Sequence, residues 1–251
     1  MKNLLEILNV EQKCIVDKRI TKVAISNFVI LNATEKKVLK EAILEMRWLA
    51  SYKPFNSGIA EFVTKEECYD EVQLISVAFE EKKYTKQVIN LLQKSMPYPL
   101  VLFLESENDV AVSIAKKTIH KVDKTKRVIE DITTSDWFSI ENSTSIQEQF
   151  LKALDTTTFN RIHLKQFYLG FEKAIIQYKT ALLTGDFSQK NTKKVKLDAE
   201  TLGKIEGIEK EIVLLKNSIK KETVFREKMD LNIKIKSLEA EKKQLIDKLA
   251  Q

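Results

Sequence analysis

The sequence predicts an α+β fold: a small, mainly antiparallel sheet with packed helices on one face, then a C-terminal helical region ending in a coiled coil. Three observations predict it. Alternating runs rich in branched residues, separated by turn residues, cluster between positions 71 and 133. Apolar residues at three- and four-residue steps take over after position 141. Beyond position 198, dense Glu and Lys surround an a/d seam. Only 5 Gly and 3 Pro in 251 residues argue against an all-β chain with many tight turns, and 43% hydrophobic residues argue against disorder.

In chain order, Thr34 to Tyr52 reads as a helix. Val38, Leu39, Ala42, Ile43, Met46 and Leu49 share one face, Thr34 is an N-cap and Lys53-Pro54 a stop. A β-α-β pattern follows. Glu71–Phe79 alternates as a strand, and Tyr84–Lys94 places Val88, Ile89, Leu91 and Leu92 on a helical face. Leu100–Leu104 is a short all-apolar run, as expected of a strand covered on both sides. Val110–Ala115 and Arg127–Thr133, separated from their predecessors by turns, complete an antiparallel meander.

Ile146, Phe150, Leu151 and Leu154 mark a short helix. Leu164, Phe167, Tyr168, Phe171, Ala174, Ile175, Tyr178 and Leu182 mark a longer one, closed by Gly185. The aromatic stripe Phe167, Tyr168, Phe171 and Tyr178 is expected in the core. The expected organisation is a mixed domain over 1–140, a helical region over 141–185, a basic linker over 186–197 and a coiled-coil or long helical element over 198–251.

The terminal seam is the strongest single signal. Ile205, Ile208, Ile212, Leu215 and Ile219 step 3-4-3-4; Leu231, Ile235, Leu238, Leu245 and Leu249 continue it in a shifted register, with Lys242 in one slot. No Gly or Pro marks a turn within 220–230, which favours one long helix with a register slip over a hairpin. Such a helix cannot bury its apolar edge alone. It must pair with a copy, with another segment of this chain or with a partner protein.

Formal charge is 42 − 36 = +6, split as +1 over residues 1–140 (21 basic, 20 acidic) and +5 over 141–251 (21 basic, 16 acidic). The densest basic segment is the hairpin Lys116, Lys117, Lys121, Lys124, Lys126 and Arg127, with His120 and a single acid, Asp123. On a two-stranded ribbon these charges form a ridge for phosphates, with a soluble sheet edge as the plainer reading. Lys190, Lys193, Lys194 and Lys196 are read as solvation of the linker.

Signals for catalysis are sparse. His120 and His163 lack metal-ligand spacing, and no Gly-rich phosphate loop occurs, so no metal or cofactor is expected. Glu80-Glu81-Lys82, at a strand end, is the one enzyme-like pattern: an acid-x-Lys triplet in which the carboxylate holds Mg²⁺ and the lysine stabilises phosphate charge. The acid such a site requires on a neighbouring strand has only Asp70 as a poor candidate. Cys14 and Cys68 are isolated thiols, expected reduced. With no run near the 18 or so apolar residues of a membrane span, and no signal-peptide core in MKNLLEILNVEQK, the expected compartment is the cytoplasm.

Several segments together resemble a bacterial family, the domain-of-unknown-function family 4391. They are Asp17-Lys18-Arg19-Ile20, LKEAILEMRWLASYK, QVINLLQKSMPYPLVLFL, VSIAKKTI, DITTSDWF, LKQFYLGFEKAIIQYKTALL and the charged terminal helix. The resemblance covers roughly residues 15 to 250 and assigns no catalytic residue. What it implies is a setting, as a small companion of helicase-like ATPases and DNA methyltransferases in restriction or anti-phage gene sets. The expectation is therefore a non-catalytic accessory subunit. It docks by its terminal seam onto a larger DNA-processing partner, or onto itself, with a weak nucleic-acid contact at the basic hairpin and no membrane. The alternative is a Mg-dependent nuclease using the triplet.

Overall fold

The computed structural model describes residues 4–188 and 190–250. Residues 1–3, which begin the segment MKNLLEILNVEQK read above as lacking a signal-peptide core, residue 189 in the expected linker and residue 251 lie outside it. The chain divides into two compact units, 1–175 and 176–251.

Unit 1 is built on a seven-stranded mixed sheet. Its strands are β1 (Ile15–Arg19), β2 (Ile43–Tyr52), β5 (Val72–Phe79), β6 (Leu100–Ser106), β7 (Asp109–Ile119), β8 (Arg127–Thr134) and β9 (Phe138–Ser139). Strand order is β1-β2-β5-β6-β7-β8, with β9 also on β7. A separate two-stranded ribbon joins β3 (Phe62–Val63) to β4 (Cys68–Tyr69). Only β5 and β6 run parallel, linked by α5 (Thr85–Ser95); the other pairs are antiparallel. The α+β architecture and the β6-β7-β8 meander are as the sequence predicts.

Helices cover both faces of this sheet, not one. On β6, Leu102 and Leu104 share a core cluster with Val88, Ile89 and Leu92 of α5. The intervening Phe103 packs edge-on against Phe171 of α7 (Leu164–Thr184), ring centroids 6.5 Å apart. Successive strand residues point to opposite faces, so a fully apolar strand needs a cover on each side. The aromatic stripe is core: Phe167, Tyr168, Phe171 and Tyr178 are all fully buried.

The helix expected over Thr34–Tyr52 is a correction. Only a short α3 (Ala33–Lys37), capped by a box between Asn32 and Glu35, and a π turn (Val38–Ala42) are helical; β2 starts at Ile43. Bulges between Ile43 and Glu45 and between Trp48 and Ala50 each insert one extra residue in β2. They turn a two-residue alternation into three-residue steps, and so imitate a helical period.

Gly170 illustrates how tightly α7 is packed. A Cβ there would sit 2.6 Å from the Phe159 ring, which itself stacks edge-on against Phe167 and Phe171. Gly170→Ala gains about 1 kcal/mol of helix propensity and meets an overpacking cost of about 1–3 kcal/mol. A net loss of about 1 kcal/mol is expected in urea unfolding; a stabilised variant would show that the ring yields freely.

Unit 2 contains the end of α7, α8 (Thr192–Lys221) and α9 (Phe225–Leu249). Gly185 closes α7 with φ +81°. Of the segment 186–197 expected as a linker, residues from Thr192 onward are the first turns of α8. The single long helix favoured by the sequence is also corrected: α8 and α9 form an antiparallel hairpin. Cross-helix ion pairs Lys234–Glu211 (2.7 Å) and Lys242–Glu209 (2.6 Å) fix its register. The turn contains neither Gly nor Pro, and the Glu222 side chain takes up its backbone N–H groups. Its carboxylate accepts from the backbone N–H groups of Thr223 (2.7 Å) and Val224 (2.9 Å). The register shift in the seam is this turn.

Candidate interaction surfaces

The seam packs mostly against itself. Ile205 is buried with Ile176, Val195, Leu202 and Leu249, among helices α7, α8 and α9. Ile208 and Ile212 of α8 are buried with Ile235 of α9, and Leu215, Ile219, Leu238 and Leu245 pack against these while staying half-buried; Leu231 is half-buried as well. Of the three pairings the seam admits, another segment of the same chain buries Ile205 and Leu249 of the proximal half and covers Leu245 and the distal half in part.

The basic cluster read as linker solvation contains a buried clamp. The Asp198 carboxylate, 1% exposed, holds the Lys190 ammonium at 2.7 Å and that of Lys194 at 3.3 Å. Lys190 also donates to the Leu249 carbonyl (3.1 Å) and Lys194 to that of Lys248 (3.2 Å), so two cations face the C-terminus of α9. Lys193 and Lys196 are exposed.

On the β7–β8 hairpin the six basic residues have separate fates. Lys116 binds Glu172 of α7 at 2.6 Å, and Lys126 binds Asp123 at 3.0 Å. The Arg127 guanidinium donates to the carbonyls of Lys124 (3.0 Å) and Lys126 (3.2 Å). Lys121 and Lys124 are exposed and make no ion pair among the described residues. Lys117 turns inward. A bulge between Lys116 and Lys117 shifts the register, and the Lys117 amine, 6% exposed, donates to the carbonyls of Met96 (2.8 Å) and Tyr98 (2.9 Å). His120 Nδ1 accepts from the N–H groups of Val122 and Asp123 within the turn, and His163 Nδ1 accepts from that of Gln166.

Burial, aided by the nearby Arg127 charge, pushes the Lys117 amine down to about 7. An uncharged amine still offers two N–H donors, enough for both carbonyls. Because this base is depressed in the folded state, the unfolded chain binds more protons above about pH 7, and stability rises from there toward the ordinary lysine range. Lys117→Met is expected to remove that rise, flattening melting free energy between pH 7.5 and 9.5 by about 1–2 kcal/mol. An unchanged alkaline slope would mean that the amine stays charged.

The acid-x-Lys residues do not converge. Asp70 precedes β5 and Glu80 follows it, so the length of an eight-residue strand, about 26 Å, separates them. Glu80 is exposed, and the Lys82 amine is held by Asp109 at 2.5 Å, lying 5.2 Å from the Trp137 ring centroid. No group of three His, Cys, Asp or Glu suited to a metal occurs among the described residues.

One polar row went unseen in the sequence because it depends on β2 being a strand. Glu45, Ala78 and Glu105 are in register across β2, β5 and β6, and Arg47, beside Glu45, pairs with Asp17 at 2.6 Å. Burial pushes the Glu105 carboxyl up; a hydrogen bond with Ser76 opposes this and the Glu45 charge adds to it.

Among the described residues no helix is long and apolar enough to cross a membrane. One family model, described as a domain of unknown function (DUF4391), matches residues 8–241. No curated protein and no solved structure matches the chain.

Proposed function

Since the chain belongs to the DUF4391 family of domains of unknown function, which brings no reaction with it, we propose a function from its surfaces: a non-catalytic accessory subunit that docks onto a larger protein through its C-terminal helical hairpin. The setting assigned to it, after the family resemblance, is a bacterial DNA-processing complex of the restriction or anti-phage kind, with a helicase-like ATPase or DNA methyltransferase as partner. One observation carries the docking reading. Leu215, Ile219, Leu231 and Leu238, seam residues by sequence, are only half-buried by the hairpin. A two-helix seam of this kind gains stability from a further apolar surface laid against it. Lys121 and Lys124, uncommitted at the β7–β8 turn, support at most a weak, salt-sensitive contact with nucleic acid.

The test is native co-purification of the tagged full chain from its host. A stoichiometric larger protein, lost on Leu215→Asp in a variant that keeps its helical circular dichroism, is the expected result. Recovery of the chain alone, or of the same partner with the variant, overturns the reading.

A further inference from the structure

Two segments of unit 1 carry the same charge. Lys18 to Lys40 holds six cations, Lys18, Arg19, Lys22, Lys36, Lys37 and Lys40, against one acid, Glu35, which is the tally of the hairpin from Lys116 to Arg127. The fold spends them differently. The hairpin commits four of its six, to Glu172, to Asp123 and to carbonyl groups. In the first segment only Lys37 has an acidic partner, Glu41 at 3.8 Å, and Glu35 is itself taken by Lys94 (2.7 Å) and the Asn32 N–H (2.9 Å). Lys18, Arg19, Lys36 and Lys40 are exposed and, with half-buried Lys22, make no ion pair among the described residues.

These cations come from three elements that the fold brings together. β1 is an edge strand, paired only with β2. α2 (Lys22–Phe28) follows it, with Thr21 as N-cap. Two contacts link α2 to α3 and its π turn. The Lys22 amine donates to the Lys40 carbonyl at 2.8 Å, and Lys36 lines a cleft with Ser26, Asn27 and Ile30. Lys40 lies about one helical turn beyond Lys36, on the same side. Lys22, Lys36 and Lys40 therefore border one groove. Arg19 extends it past Lys22, and the two line a second cleft with Thr21 and Glu45. Glu45, the acid of that cleft, lies 3.9 Å from Arg47.

We propose that this groove, bordered by Arg19, Lys22, Lys36 and Lys40, binds the phosphodiester backbone of a nucleic acid. The proposal rests on the accessory-subunit reading and moves its nucleic-acid contact from the β7–β8 turn to α2 and α3. The side chains present are those that hold phosphates: arginine, lysine, and the hydroxyl and amide donors of Thr21 and Asn27. No aromatic side chain lines either cleft to stack on a base, so the contact reads charge and not sequence. A lipid surface is the poorer occupant. Val23 and Ile30 are exposed here, 67% and 95%, but two separate side chains do not make the continuous apolar face that interfacial binding needs. An acidic protein partner likewise lacks an apolar centre to bury at this groove.

The experiment measures fluorescence anisotropy of the purified full chain with two labelled probes, a short DNA duplex and an RNA strand of the same length. The expected result is binding of at least one probe at low salt, with log K falling against log salt at a slope of about −3 to −4, as four phosphate contacts require. Combined Lys36→Glu and Lys40→Glu substitution, at two exposed positions, should weaken binding at least about tenfold and flatten that slope by about 2. Lys121→Glu with Lys124→Glu makes the same change in net charge at the hairpin and should weaken binding less than about threefold. Circular dichroism and tryptophan fluorescence check that both variants fold. No binding at low salt, or binding indifferent to the change at 36 and 40, overturns the proposal. So does capture by phosphatidylserine vesicles that the same change abolishes. A loss confined to the 121 and 124 variant defeats this inference and leaves the hairpin contact of the accessory reading in place. Co-purification of the larger partner tests that reading separately. The partner should be retained by the Lys36→Glu and Lys40→Glu variant, and its loss would make the groove a protein contact and overturn the proposal.

Discussion

Replacing Asp198 with Ala is expected to cost unit 2 about 3–5 kcal/mol, the penalty of leaving a buried counter-charge unpaired. The carboxylate is 1% exposed and the Lys190 side chain 12%, so the lysine cannot simply turn to water for its missing partner. Loss of the clamp also releases Lys190 from the Leu249 carbonyl and Lys194 from that of Lys248, freeing the end of α9. Two probes separate the units, because the chain's two tryptophans, Trp48 and Trp137, both lie in unit 1. In urea, circular dichroism at 222 nm should show an earlier loss of helix in Asp198→Ala while tryptophan fluorescence keeps its midpoint. A loss below 1 kcal/mol would show the clamp to be solvated in practice.

The second large effect is expected in unit 1. The Tyr168 hydroxyl, fully buried, accepts from the Ala115 N–H (2.9 Å) and lies 2.9 Å from the carbonyls of both Leu100 and Ala115. It thus stands between the start of β6 and the middle of β7, where it replaces a ladder bond and ties α7 to the sheet. Tyr168→Phe keeps the ring and strands a buried N–H and its neighbouring carbonyls. Each unsatisfied group costs about 1–3 kcal/mol, and the sharing of one hydroxyl suggests a total of about 2–3 kcal/mol. Here the tryptophan transition should move and the early phase at 222 nm should not. Equal stability of the variant would mean that the strands close the gap by themselves.

What was legible in the sequence follows from how local each signal is. The strand-helix-strand of β5, α5 and β6, the meander, and α7 with its Gly185 stop each depend on periodicity and turn residues within a few positions. β2 did not, because two bulges gave a central strand the spacing of a helix, and only its partners β1 and β5 decide between them. The hairpin turn was hidden for a different reason: the Glu222 side chain takes up the N–H groups of Thr223 and Val224, and no Gly or Pro is there to read.

The interaction surfaces divide in the same way. The seam residues were named by spacing alone, but which partner they meet is a tertiary fact. Likewise six basic residues in a row say nothing of which way each points. Lys117 is bound inside by two carbonyls, Lys116 is held by Glu172, and Lys121 and Lys124 remain at the surface. Lys190 and Lys194 looked like solvated linker charges because Asp198, their common partner, counts in sequence as just another helix-surface acid.

The most direct measurement is hydrogen exchange by mass spectrometry, comparing the chain alone with the chain in its co-purified complex. If the hairpin is the docking element, peptides from 208–238 should be the least protected helical segments of the free chain, since only two helices build them. They should slow by at least about tenfold in the complex. Unchanged exchange across 208–238, with new protection confined to residues 1–175, would contradict the account.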